Sequence, residues 1–203
     1  DVSNDQRQAI YSLRKQLLEE SDISETINDL ISQEFKRISN IYIPEESIES
    51  QWKSKDLDVY LKENYNLETN IESLIRDDKK LLPESIADLV IEKAKKMYKE
   101  KYQSLESNRL ILEKQIMLQV LDVHWKEHLA EVDHLRGSIG LRAYAQKNPK
   151  NEFKQEAYSM FESMLDEVDS ETVRVLFVIE FASEEILEGL KRDQEKQEMV
   201  LEK

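Results

Sequence analysis

Two histidines and a glutamate lie within five residues of each other in a sequence that contains three histidines in all. The segment His124-Trp125-Lys126-Glu127-His128 matches the H-x-x-E-H pattern of inverted zinc peptidases. On a helix the two histidines share a face, so two metal ligands beside a general base are geometrically feasible. The pattern marks no third ligand, because the remaining histidine, His134, is nearly two helical turns away. We therefore expect no metal site, with Trp125 in the core and the histidines flanking it.

Basic residues are concentrated in one short segment of a chain whose formal net charge is −14. They are Arg136, Arg142, Lys147, Lys150 and Lys154, and Glu152 is the single acid between Leu135 and Lys154. Tyr144 stands among these charges, and an exposed tyrosine beside arginine and lysine is typical of a protein contact. The alternative is a solvated loop whose charges serve only solubility.

The composition excludes several classes of protein. The 203 residues include three Gly and three Pro, which are few for the turns that connect β-strands, so we expect long helices. The absence of Cys excludes a disulfide scaffold, a Cys-ligated zinc site, an iron–sulfur cluster and a thiol nucleophile. The acidic net charge argues against a nucleic acid as partner. The glycines at 137, 140 and 189 cannot form a phosphate-cradling G-x-x-x-x-G-K-[ST] loop, and no G-x-S-x-G motif exists.

Hydrophobic periodicity predicts an all-α fold. Helices are expected at 1–20, up to about Ile41, from Pro83, and from about 107 to Arg136, with turns between short helices at 62–80. Gly137 and Gly140 are expected to end the helix before them, and Pro149 to start a return helix. Two long antiparallel helices joined at 137–149 make a helical hairpin. Residues 183–203 are highly charged and are interpreted as an exposed helix end or a tail.

Several collinear segments resemble the C-terminal region of the SecA family of bacterial preprotein translocase motors. They read DVSNDQRQAIY at 1–11, LDVHWKEHL at 121–129, DHLR at 133–136, LRAYAQKNPK at 141–150 and EFKQEAYSMF at 152–161. The resemblance implies a helical scaffold domain formed by residues 1–28 and 107–182. It also implies a small helical wing domain inserted between them at 29–106.

In this family the scaffold hairpin is called the two-helix finger, and its tip enters the cytoplasmic mouth of the SecY channel and contacts the translocating polypeptide. The resemblance implies that Tyr144 is the tip aromatic, with Arg142, Gln146 and Lys147 beside it. Arg136, Lys150 and Lys154 flank the tip as a basic island. Trp125 and His128, at the base of the hairpin, resemble the part that packs against the motor and restrains ATP hydrolysis.

The resemblance also implies partners and a location. The partners are the SecYEG channel, preprotein substrates and the parent's own motor domains, and the location is the cytoplasm, peripherally on the inner membrane. Whether the parent forms a homodimer stays open. ATP and Mg belong to the parent's motor domains, so we expect no catalysis and no cofactor in this segment alone. The alternatives are a zinc metallopeptidase-like helical protein and a plain helical adaptor.

Overall fold

The computed structural model describes residues 2–105, 108–142, 148–181 and residue 192. The regular secondary structure in these ranges is entirely helical, which confirms the predicted all-α class. The α-helices are α1 (Val2–Glu19), α2 (Ser24–Tyr42), α3 (Ser54–Tyr65), α4 (Ile71–Asp77), α5 (Pro83–Tyr102), α6 (Asn108–Arg142) and α7 (Pro149–Val178), with short 3₁₀ turns at Glu49–Gln51 and Gln103–Leu105. Among the described residues, no helix is both long enough and apolar enough to cross a membrane.

The described residues divide into two compact units. Those in 1–21 and 111–172, together with residue 192, form the first unit, and those in 22–110 and 173–184 form the second. Each unit has its own buried apolar residues. The identification of residues 29–106 as a wing domain stays a prediction.

The second unit is built around the packing of α2 on α5. The buried side chains of both helices recur every three or four residues, which places them on one face of each helix. They are Ile27, Ile31, Phe35 and Ile38 in α2, and Ile86, Val90, Ala94 and Tyr98 in α5. The Phe35 ring packs against Tyr65 and Phe177, with centroid distances of 5.0 and 5.1 Å. Each side chain of this size stabilises the unit by about 1.5–3 kcal/mol when it is fully buried.

A buried carboxylate in this aromatic core accepts hydrogen bonds from neighbouring side chains. Glu34 is 5% exposed and accepts hydrogen bonds from Arg37 Nε at 2.9 Å and from the Tyr65 hydroxyl at 2.8 Å. Burial, followed by the charge of Glu34, raises the pKa of the Tyr65 hydroxyl. The hydroxyl therefore stays protonated and keeps donating to Glu34.

The predicted turns between short helices at 62–80 are confirmed. Asn66 ends α3 with φ 54°, and Asn70 precedes α4 with φ 56°. Asparagine tolerates this left-handed backbone better than most residues because its short amide side chain can bond locally. Asp58 caps α4 by accepting from the backbone N–H groups of Ile71 at 2.8 Å and Glu72 at 3.0 Å.

In the first unit, α1 packs against α6 and α7. Ile10, Leu17 and Leu18 bury the inner face of α1. The buried Lys114 ammonium of α6 donates to the Leu18 carbonyl at 3.0 Å, where the end of α1 leaves carbonyl groups without helical partners. Arg14 and Asp122 form an ion pair between the same two helices. Apolar burial and these polar contacts together fix α1 on the hairpin.

The expectation that Gly137 and Gly140 end the long helix is wrong, because α6 continues to Arg142. Neither glycine has a positive φ. Leu135 and Ile139 are each 6% exposed and pack with Ala157 of α7 in one cluster. Burial of these side chains outweighs the cost of about 1 kcal/mol that each glycine imposes inside a helix.

Candidate functional site

The helices α6 and α7 form the predicted antiparallel hairpin within the first unit. Near the end of α6, Arg136 lies 5.7 Å from the ring centroid of Phe153. Earlier in α6, the ring centroid of His128 lies 5.6 Å from that of Phe161. As the residue numbers fall along α6, their partners' numbers rise along α7, which defines an antiparallel arrangement.

The residues predicted for the tip fall mostly outside the described part of the chain. Tyr144, Gln146 and Lys147 lie in 143–147, between the two described ranges. Arg142 is the last residue of α6, and its side chain is also outside the description. The roles assigned to these four residues stay predictions.

The flanking basic residues lie on both helices of the hairpin. Arg136 covers the Phe153 ring and donates to the Ser3 hydroxyl of α1 at 3.1 Å. Lys150 is exposed in the first turn of α7, where its backbone N–H donates to the Asn148 side chain at 3.1 Å. Lys154 is exposed at the edge of a groove between α1 and α7. The island therefore combines one stacked arginine with two exposed lysines.

At the base of the hairpin, His128 is more deeply buried than Trp125, which reverses the predicted order. His128 is 2% exposed, whereas Trp125 is partly buried. The two rings stack with centroids 5.6 Å apart, and Phe161 of α7 contacts both. The imidazole occupies the interior because α1 supplies a polar partner for it there.

That partner is Gln6, which sequence reasoning missed. Gln6 Nε2 lies 3.0 Å from the Ala157 carbonyl, and Gln6 Oε1 lies 2.8 Å from His128 Nε2. A carbonyl only accepts, so the amide nitrogen of Gln6 must face Ala157 and its oxygen must face His128. His128 Nε2 therefore carries the proton, and Nδ1 of the neutral ring is an acceptor. Gln6 stands four residues before the buried Ile10, and this position on the buried face is the signal that could have revealed it.

The His128 imidazole is held neutral. Nδ1 is buried and has no hydrogen-bond partner among the described residues. Burial lowers the pKa of His128 from the ordinary value of 6.5, and the nearby charge of Glu131 opposes this shift in part. Protonation at Nδ1 would place a charge and an unpaired donor in the interior, which is costly.

The two histidines of the H-x-x-E-H segment have separate partners. His124 Nε2 lies 2.6 Å from a Glu171 carboxylate oxygen, and its Nδ1 lies 3.7 Å from Glu167. His128 Nε2 is bonded to Gln6 instead. Within the described ranges, no three His, Asp or Glu side chains are grouped so that they could hold a metal ion. The geometry therefore gives no support to the metallopeptidase alternative.

A groove of about 290 Å³ runs between α6 and α7 beside these histidines. Four glutamates line it, namely Glu127, Glu131, Glu156 and Glu167. His124 and His128 belong to the same wall, and Met160 and Met164 supply apolar surface. The hairpin base is thus a concave surface lined by acidic side chains.

In the described residues, a long hairpin of two helices is braced by a third helix, which defines a helical scaffold architecture. The model of the SecA Wing and Scaffold domain family matches residues 1–180. The chain belongs to this family, as the sequence resemblance predicted. The family implies a role in the protein translocation machinery.

Proposed function

We propose that this chain is the scaffold and wing segment of a SecA-type protein-transporting ATPase, and that its hairpin passes motor movement to a polypeptide in the SecYEG channel. Tyr144, Arg142, Gln146 and Lys147 form the tip that contacts SecY and the preprotein. Arg136, Lys150 and Lys154 surround this tip with positive charge. The parent works peripherally on the cytoplasmic face of the membrane.

The stiffness of the hairpin supports this proposal. The helices α6 and α7 contain 35 and 30 residues. At 1.5 Å per residue they are about 50 and 45 Å long. The single observation that carries the proposal is the Gln6 bridge, because one side chain of α1 holds both α6 and α7. A displacement of α1 is therefore passed to both helices of the hairpin together.

The base of the hairpin is assigned to the parent's motor domains, which bind ATP and Mg. Trp125 is partly buried and stacks on His128. A partly buried tryptophan with one face on its own protein suits a packed contact with a second protein surface. Through this contact the hairpin restrains ATP hydrolysis by the motor. The segment itself performs no catalysis.

The test is the substitution Tyr144→Ala in the full-length parent. We expect preprotein transport to fall at least about tenfold, because a central interface aromatic often contributes about 2 kcal/mol or more. The basal ATPase rate should stay near that of the unchanged protein. The matched control is Tyr11→Ala, which removes a tyrosine that is 58% exposed on α1.

Unchanged transport by the Tyr144→Ala protein would contradict the tip assignment. An equal loss of transport in the Tyr11→Ala protein would mean that any exposed tyrosine of the scaffold has this effect. A plain helical adaptor predicts a third result, in which partner binding changes while no ATPase rate responds to any hairpin substitution.

A further inference from the structure

A groove with mainly apolar walls lies between α1 and α7 in the first unit. Its volume is about 570 Å³. Its apolar lining comes from Val2 and Ala9 of α1 and from Tyr158 and Phe161 of α7. Tyr158 is 60% exposed, and covering such a ring with an apolar side chain is favourable.

The apolar surface continues past the groove along both helices. On α1, Leu13 follows Ala9 by four residues and is 41% exposed. On α7, Leu165 follows Phe161 by four residues and is half-buried. Residues four apart share a face of a helix, so each helix borders the groove with an apolar row. Two such rows side by side have the shape that accepts one further amphipathic helix.

The segment after α7 has a matching uncharged face. Ser183 followed by Glu184 and Glu185 is typical of a helix start, because serine caps the first turn and acids favour the positive end of the dipole. From there, uncharged residues recur every three or four positions in a segment that is otherwise highly charged. They are Ser183, Leu187, Leu190, Gln194, Gln197 and Leu201.

Arg192 is the described residue of this segment, and it fits such a helix. It is helical and exposed. It follows Leu190 by two positions, which is a rotation of about 200° around a helix, so it lies opposite the uncharged face. Residues 173–178 of α7 belong to the second unit, whereas Arg192 belongs to the first. The chain has therefore turned back by residue 192.

The length of the segment brings its last apolar residues to the groove. Leu201 lies 18 residues after Ser183, and Met160 lies 18 residues before Val178. A helix that runs antiparallel to α7 from Ser183 covers about 27 Å over this distance and reaches the level of Met160. That level lies between the two aromatic residues of the groove.

Ala9 of α1 lies at the same level. The helices α1 and α7 are parallel, because α6 is antiparallel to both of them. Gln6 donates to the Ala157 carbonyl, and Ala9 and Met160 each lie three residues further along their helices. Ala9 is exposed, so nothing within the described residues covers it.

We propose that the C-terminal segment 183–203 of this chain docks as a helix along the groove between α1 and α7. Leu201 lies in the groove, against Ala9 and the two aromatic rings. The charged face of the segment stays in solvent. The docked helix braces α1 against α7 from outside, as Gln6 does from inside. This interaction lies within the chain, so it does not depend on a role in translocation.

The experiment joins the segment to the groove by a disulfide in the full 203-residue chain. The chain contains no Cys, so the pair Ala9→Cys with Leu201→Cys introduces the only two thiols. A disulfide forms only where the two Cα atoms come within about 7 Å. We expect an internal disulfide in dilute solution under mild oxidation, detected by mobility on a non-reducing gel and by peptide mass spectrometry.

The matched control is Ala9→Cys with Met199→Cys. Met199 is two positions before Leu201, on the charged side of the predicted helix, so a docked segment holds it away from Ala9. We expect this pair to form the internal disulfide at least about tenfold more slowly, because docking fixes which thiol is near. Circular dichroism checks that both double variants fold.

A second measurement needs no cysteine. Leu201→Asp should release the segment and shift the backbone NMR signals of residues 2–13 and 154–165, since it places a charge against apolar walls. Met199→Asp should leave those signals in place.

Three results would overturn the proposal. Equal rates for the two cysteine pairs would mean that the segment moves freely past the groove. Disulfide-linked dimers would assign the groove to a second copy of the chain. The absence of any disulfide, with the NMR signals of the groove unchanged in Leu201→Asp, would leave the groove to a different protein.

Discussion

Gln6 Oε1 lies 2.8 Å from His128 Nε2, although the two residues are 122 positions apart in the sequence. The other atom of the same amide donates to Ala157, so one buried side chain holds α1, α6 and α7 together. An amide can make this bridge because it carries both donors and an acceptor. Apolar contacts alone would tolerate small shifts of one helix along another, whereas this bridge is satisfied at one register only.

Replacing Gln6 with Ala should lower the stability of the first unit by about 2 kcal/mol. The substitution leaves the buried His128 Nε2–H without an acceptor, and an unsatisfied buried group costs about 1–3 kcal/mol. The measurement is the free energy of unfolding from urea titration followed by circular dichroism. The control is Gln8→Ala, since Gln8 is exposed on the same helix and surface changes usually stay within about 0.5 kcal/mol. Similar losses in the two variants would show that the bridge adds nothing beyond helix propensity.

His128 should make the chain less stable as the pH falls below the ordinary histidine range. In the folded state burial lowers the pKa of His128 from 6.5, so the unfolded chain binds a proton at a higher pH than the folded chain does. Stability from this group is therefore fully present above about pH 6.5 and is lost as the pH falls from there through the lowered folded-state pKa. Each unit of pKa lowering corresponds to about 1.4 kcal/mol. The loss is measured by urea unfolding at a series of pH values from about 7.5 to about 5, a range that includes the ordinary pKa of histidine.

The matched comparison for the pH effect is a second histidine. His128→Gln should flatten the pH dependence in this range, and His134→Gln, at an exposed position of the same helix, is the control. Carboxylates titrate in all three proteins, so only the difference between the curves is assigned to His128. A curve for His128→Gln with the slope of the unchanged protein would show that the imidazole does not carry the effect.

Local sequence signals predicted the helices but not their polar contacts. The start of α5 at Pro83 and of α7 at Pro149 follows from the fixed φ of proline, which suits a first helical turn. The turns at Asn66 and Asn70 follow from the tolerance of asparagine for the left-handed region. These features depend on one or a few neighbouring residues. The family itself was predicted from the resemblance of several segments, most of which lie in the hairpin.

The bridge and the groove could not be predicted because their parts come from distant segments. Nothing near Gln6 in the sequence indicates that its partners are His128 and Ala157. The four glutamates of the groove are only a few of the 43 acidic residues, so nothing in the sequence distinguishes them from the others. They come together only because α6 and α7 pair. Tertiary packing likewise overrode the glycine signal at 137 and 140, where burial of Leu135 and Ile139 keeps the helix intact.

Replacing Gly137 or Gly140 with Ala should therefore stabilise the chain rather than disturb it. Both residues lie inside α6 without a positive φ, and a Cβ built at either position meets no atom within 4 Å. Alanine is favoured over glycine in a helix by about 0.5–1 kcal/mol, so each variant should unfold at a higher urea concentration.

Ala130→Gly is the reciprocal control, because Ala130 is exposed in the middle of α6, and this substitution should cost about the same amount. If Ala130→Gly lowers the free energy of unfolding and Gly137→Ala raises it by a similar amount, the helix is as regular near its end as at its centre. A loss of stability in Gly137→Ala would instead mean that the backbone there needs a conformation that only glycine adopts, and that the helix ends near this position. The sign of one substitution thus decides whether the stiff part of the hairpin extends to Arg142 or stops near Arg136.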